Sequence, residues 1–326
     1  MRKVTMPQLV LEFHEAAFAS YVEENLKELL NKYCADQESC EYLQQLMIDA
    51  RDPSKNTSLV IRPIEGLAKV VHSIDSIKGK YPRKDWKPLE KSLKAVFNYS
   101  YLFVQGNNSK KWDSGQYIEL MIGAGLKYCP YCNCTLIEAY PTRMGKMHKG
   151  PLDHFYDKGA YPYLSLSIYN LIPVCDQCNR EKGAAQVALS THSHPFFDDF
   201  HELVYFEVTD EPFDALFGNQ KKCTIQLCSF EKERSPNAIN LADDVELVSR
   251  YNSGGGQIAR EIYDKGVKYR KMTMVDYRKL ADIKGLSLID LCADEFGVKP
   301  DGSDINGKHY GKMRHDLMPE SLKELR

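Results

Sequence analysis

The sequence contains no apolar run approaching the roughly 18–20 residues that a membrane-crossing helix requires. It also has no recognisable export signal. The start MRKVTMPQLVLEFHEAAF is basic, but Glu12, His14 and Glu15 interrupt its apolar part, and no small-residue cleavage site follows. The expectation is mature protein in a reducing cytoplasm. Net charge is nearly absent, −2 with a pI near 6.5, which excludes a protein that coats nucleic acid by bulk charge but not one with a local basic groove. A G-x-x-x-x-G-K-[S/T] loop is missing, so ATP is not bound through that device. Internal repeats and low-complexity tracts are missing as well.

The 326 residues are 43% apolar and 27% charged, an ordinary globular mixture long enough for two or three domains. Between residues 8 and 33, Val10, Phe13, Ala17, Val22, Leu26, Leu29 and Tyr33 recur at spacings of three to five, close to a helical stripe. Similar patterns cover about 40–50, 64–77, 86–104 and 114–126, so residues 1–125 read as a helical domain. Residues 126–200 carry a cysteine and histidine cluster. In 201–326, LVYFEV (203–208) and CTIQL (223–227) read as short strands. Helical pattern resumes near 236, is interrupted by SGGG at 253–256, and continues as a long basic helix over about 257–282, before a tail with little periodicity from 299. The expected class is α+β, mostly helical, with a small metal-stapled centre.

Four of the ten cysteines fall in two Cys-x-x-Cys pairs, Cys129 and Cys132 in YCPYCNC and Cys175 and Cys178 in VCDQCN. Each pair presents two thiolates from one tight knuckle, and two knuckles complete a tetrahedron. Zinc favours such a closed four-sulfur shell, which leaves no position for a substrate, so the ion is expected to be structural. Cys134 is a rival for Cys132, with a spacing that suits a knuckle less well. Cys34, Cys40, Cys223, Cys228 and Cys292 read as small buried hydrophobes.

Between the knuckles lie Asp153-His154 and Asn170, and Asn179 follows the last cysteine. The run LDHFYDKGAYPYLSLSIYNLIPVCDQCNREKG, with YCPYCN before it, resembles the HNH or ββα-metal endonucleases in their zinc-bearing form, over about residues 127–183. The resemblance implies a β-hairpin and helix gripping one divalent ion, Mg²⁺ or Mn²⁺. It implies Asp153 and Asn179 as ligands of that ion, His154 as general base, and Asn170 as the residue that keeps the hairpin in shape. Lys182, one turn after Asn179, would approach a phosphate. Asp157 stands where many relatives have proline. The layout as a whole resembles HNH effectors of bacterial antiphage defence, of the Septu and retron-linked kind, which implies nucleic acid, expected to be DNA, as substrate and an ATPase as a partner protein.

The chemistry asks for the same residue types. A neutral imidazole can deprotonate water near pH 7. A hard divalent ion held by carboxylate and amide oxygens stabilises the charge that grows on the phosphate and the leaving oxygen. Strand alternation sends Asp153 and His154 to opposite faces. Three basic stretches could hold the substrate: Arg143, Lys146, His148 and Lys149 before Asp153; KGVKYRK at 265–271; and 78–94, where Lys78, Lys80, Arg83, Lys84, Lys87, Lys91 and Lys94 alternate with Tyr81 and Trp86. The bland alternatives are a solvated helix face for 78–94, and a catalytically inactive zinc-ribbon nucleic-acid-binding or scaffold subunit for the whole chain. His194, in STHSHPFF, reads first as part of a structural turn and second as a residue that orients substrate.

Overall fold

The apolar stripe at the start of the chain forms one unbroken helix, α1 (Gln8–Tyr33), that buries Val10, Ala17, Phe18, Val22, Leu26 and Leu29. The computed structural model describes all residues except 53–56, 144–146, 184, 210–223, 270–271 and 325–326. Helices α2 (Gln37–Ala50), α3 (Ile64–Lys80), α4 (Lys87–Val96) and α5 (Ser114–Gly123) follow. The pattern over 86–104 is not one helix. After α4 the Asn98 side chain accepts from the backbone N–H of Tyr101 at 3.1 Å, an alternative partner to the helical ladder, and the chain re-enters as a single π turn, Ser100–Val104.

Among the described residues, eight short strands pair as antiparallel twos. They are β1 (Arg51–Asp52) with β2 (Thr57–Ser58), β3 (Ala139–Pro141) with β4 (Met147–Lys149), β5 (Leu152–His154) with β6 (Leu171–Pro173), and β7 (Val204–Val208) with β8 (Ile225–Ser229). Helix α6 (Asp176–Lys182) follows β6 directly. The α+β, mostly helical class is as expected.

In the last third, the basic helix expected over 257–282 is two helices, Gly256–Tyr269 and Met274–Lys284. Thr273 starts the second with a reciprocal capping box to Asp276, a local signal that outweighs the continuing periodicity. The SGGG segment does not break the chain: Tyr251–Gly255 is a π-helical turn leading into Gly256–Tyr269. The aperiodic tail forms Gly311–Asp316 and Glu320–Lys323, and it is anchored from outside itself, as described below.

One continuous hydrophobic cluster runs from the N-terminal residues to Leu322, so the helical part and the cysteine-bearing part share a core. Polar bonds cross between them. His14 Nε2 donates to the Leu166 carbonyl at 2.6 Å while Trp112 Nε1 donates to His14 Nδ1 at 3.1 Å, and the Tyr117 hydroxyl donates to the Leu171 carbonyl at 2.8 Å. No helix among the described residues is long and apolar enough to cross a membrane. Outside the two pairs, Cys292 is buried as expected, but Cys34 is exposed, Cys40 and Cys228 are half-buried, and Cys223 lies outside the described residues.

Burial carries a stability consequence. It lowers the pKa of His14 to about 4 and that of His194, enclosed by the Phe155 and Phe196 rings, to about 3. Both rings are neutral in the fold and take up a proton on unfolding below pH about 6.5. The unfolded state therefore binds more protons between those values, and stability falls as pH falls. Denaturant midpoints measured from pH 7 to pH 5 are expected to drop with a slope approaching about 1.4 kcal/mol per pH unit for each such histidine. His14→Gln should flatten the slope by one proton, and an unchanged slope would show that this ring is not titrating with unfolding.

Candidate functional site

Each Cys-x-x-Cys pair folds into a knuckle for an identifiable reason. In the first, Cys129 N–H donates to the Thr135 carbonyl and Asn133 N–H to the Cys129 carbonyl, with Tyr128 bridged to Leu136 across the turn. The turn needs a positive φ at Asn133 (54°), which asparagine tolerates better than most residues. The same Asn133 binds the tail. Its side-chain amide donates to the Ile305 carbonyl, and its side-chain oxygen accepts from Lys312 N–H. In the second knuckle, Cys175 caps α6 and its sulfur accepts from Cys178 N–H, so both sulfurs sit at the helix start.

The four sulfurs lie within 4.8 Å of one another, all buried. Cys132 and Cys175 are 3.9 Å apart, against ~3.8 Å expected between thiolates around a tetrahedral zinc with Zn–S near 2.3 Å. Hydrogen bonding within the cluster draws Cys175 down to about 6 and Cys132 well below the thiol range, while burial pushes Cys129 up. A cation held among the four sulfurs would complete the set. The donor type, spacing and closure fit a structural zinc ion. Arg250 lies against the cluster, donating to Cys178 Sγ at 2.7 Å and also reaching Cys134 and Thr135, and Tyr251 donates to the Cys132 carbonyl at 2.7 Å. The Arg250 guanidinium would offset part of the charge of a four-thiolate shell. Cys134 is half-buried and lies outside the four-cysteine group.

The strands β5 and β6 pair with Asp153 opposite Ile172 and His154 opposite Leu171. Alternation sends the two polar neighbours in different directions, and each is received by a distinct set of partners. Asp153 turns toward α6 and the first knuckle. Its carboxylate accepts from the Tyr131 hydroxyl at 2.7 Å and from Lys182 Nζ at 3.1 Å, and Lys182 also donates to the His154 carbonyl at 3.1 Å. Both side chains of this ion pair are buried, 1% exposed for Lys182 and 5% for Asp153. Lys182, expected near a phosphate, is therefore directed inward. Its length carries it from the last turn of α6 to the strand, before Gly183, at φ 53°, ends the helix. Asn179 lies one turn before Lys182 and so projects from the same side of α6; its side chain is half-buried.

His154 turns the other way. Its Nε2 donates to the Ser165 carbonyl at 3.2 Å, and its ring meets Tyr99 edge-on at 4.7 Å. A carbonyl can only accept, so the proton sits on Nε2 and the lone pair on Nδ1. Nδ1 has no partner among the described residues. Burial, then the nearby Lys158 ammonium, lower the ring's pKa to about 3, so it is held neutral. Asn170 is fully buried and clamps the loop between the strands: its oxygen accepts from Tyr156 N–H at 2.7 Å, and its amide donates to the Tyr156 and Leu164 carbonyls. Leu164 adjoins Ser165, so Asn170 fixes the loop that presents the acceptor of His154.

The structure uses the expected basic residues unevenly. Arg143 is exposed, Lys146 lies outside the described residues, and Lys149 is half-buried with its ammonium on the Val104 carbonyl. In 78–94, Lys78, Lys80 and Lys84 pair with Glu90, Glu41 and Asp36, and Trp86 packs on Tyr42, so three of the seven cations are engaged within the protein. In 265–271, Lys265 faces Glu295, and 270–271 lie outside the described residues. His194 is fully buried. Another group, His201, His315 and Asp316, brings ligand-type atoms together, but Lys312 holds both Asp316 oxygens at 2.6 Å and Phe206 N–H adds a third bond. That carboxylate is satisfied by an ammonium, and the group is a half-buried polar knot.

Sequence reasoning missed Tyr131, Tyr99 and Arg250. Tyr131 was open to view as the aromatic inside the first knuckle. Comparison with family models, curated proteins and solved structures finds no match for this chain.

Proposed function

We propose that the chain is a metal-dependent endonuclease of the HNH kind that hydrolyses phosphodiester bonds in nucleic acid, with DNA the expected substrate. The observation that carries this reading is the geometry of His154, whose tautomer is set by the Ser165 carbonyl and whose Nδ1 has no partner among the described residues. Such a nitrogen takes a proton from water, and the Ser165 carbonyl then stabilises the imidazolium through Nε2–H. Asn170 preserves this aim by holding the loop. The four-cysteine site ties the start of α6 to the first knuckle, whose Tyr131 holds Asp153 in turn.

Asp153 and Asn179 supply the hard oxygen donors that suit Mg²⁺ or Mn²⁺, and these two residues would hold the ion. Such an ion supplies charge stabilisation at the phosphate and the leaving oxygen. The fit in donor type comes with a competitor, since Lys182 already neutralises Asp153. That same ion pair favours a second reading, a zinc-stapled nucleic-acid-binding or scaffold subunit without turnover.

Plasmid cleavage with Mg²⁺ or Mn²⁺, wild type beside His154→Ala, tests the enzyme reading. Lys182→Met separates the two readings without relying on activity. Removing one partner of a buried pair costs about 3–5 kcal/mol. If Asp153 is a metal ligand, millimolar Mn²⁺ should restore much of the lost melting temperature in the variant and move the wild type far less. A variant equally unstable with and without Mn²⁺ would argue for the scaffold reading.

A further inference from the structure

Lys158 lies four residues after His154, in the loop that Asn170 clamps. Its backbone is set by Asp157, whose side chain accepts from Ala160 N–H at 2.9 Å and whose carbonyl accepts from Tyr161 N–H at 2.8 Å. The side chain is exposed, and its ammonium stands 5.4 Å from the centroid of the Tyr99 ring. That same ring meets His154 edge-on at 4.7 Å. Tyr99 comes from the helical part of the chain and packs on Phe103, so the shelf under Lys158 belongs to the shared core. No carboxylate pairs with Lys158 among the described residues.

Among the described residues, two other lysines near the site are engaged. Lys182 is buried on Asp153, and Lys149 is held on the Val104 carbonyl. Lys158 is thus an exposed cation without a carboxylate partner among the described residues, and it shares the Tyr99 ring with His154. An aromatic face holds an ammonium by its near side and leaves N–H donors free for an anion. Next to a base that acts on a phosphodiester, the fitting anion is a backbone phosphate.

We propose that Lys158, held over Tyr99, binds a backbone phosphate of the nucleic-acid substrate beside His154. This rests on the nuclease reading. The test is the salt dependence of binding to a labelled DNA duplex and to an RNA strand of the same sequence. It is measured in a His154→Ala background, so that substrate survives, with Lys158→Ala and Lys158→Arg added. Loss of one phosphate contact should lower the slope of log K against log salt by about one, with arginine retaining it. Melting curves should be unchanged, because the side chain is exposed. An unchanged slope and affinity in Lys158→Ala, alongside cleavage by the His154-intact protein, would overturn the assignment and leave the nuclease reading standing. Failure of the His154-intact chain to bind or cut either probe would remove both.

Discussion

Cys178→Ser, or a strong chelator acting on the unaltered chain, is expected to unfold the centre of the protein and with it most of the cooperative structure. Zinc bound by four thiolates contributes about 10–16 kcal/mol of apparent binding energy in small zinc-finger peptides, comparable with or greater than the roughly 5–15 kcal/mol net stability of a whole domain. Here the ion would join residues far apart in the chain, with Cys132 and Cys175 separated by 43 positions. The effect should spread beyond the knuckles. Arg250 and Tyr251 bind the cluster from one side, the tail binds Asn133, and Asp153 depends on Tyr131 inside the first knuckle. The measurement is metal content by mass spectrometry together with a circular-dichroism melt, with and without chelator. Cys134→Ser is the control: its sulfur lies outside the four-cysteine group, so zinc content should persist. A chain that purifies without zinc and melts identically in chelator would refute the metal assignment.

The legible parts of this protein are those fixed by local pattern. The stripe from Val10 to Leu29 defined α1, and the two Cys-x-x-Cys spacings identified the four sulfurs that the fold brings together. Period-two alternation predicted that Asp153 and His154 face opposite ways, as their separate partners show. What was not legible depends on side chains meeting across long separations. Nothing about Lys182 in sequence says that it reaches back 29 residues to Asp153 instead of outward to solvent. Tyr99 lies in another section of the chain from His154, and Arg250 reaches Cys178 across 72 residues. Such contacts follow from how helices dock, and hydrophobic periodicity fixes only which face is buried. The break near residue 270 was readable, since Thr273 and Asp276 form a capping box, but a continuing apolar period concealed it.

His154→Ala is expected to reduce cleavage by about 10²–10⁴-fold, the usual contribution of a positioned general base. The ring is buried and makes one hydrogen bond among the described residues, so a melting curve beside the assay shows that the variant folds. His154→Gln is the sharper variant: its amide can still donate to the Ser165 carbonyl, yet it carries no basic nitrogen. If position alone mattered, glutamine would rescue activity; if proton transfer matters, it will not. The pH profile adds a second readout. An ordinary histidine loses its lone pair below pH about 6.5. Burial, then the Lys158 charge, lower the His154 pKa to about 3, so the imidazole stays unprotonated well below the ordinary midpoint, as a weaker base than a solvated one. Activity per folded molecule should therefore show no step near 6.5. The acid loss should instead coincide with unfolding, which buried His14 and His194 promote over the same range. A clean titration of activity at 6.5 in fully folded protein would mean that the base is a solvated histidine elsewhere, and equal cleavage by His154→Ala would mean that this imidazole is not the base at all.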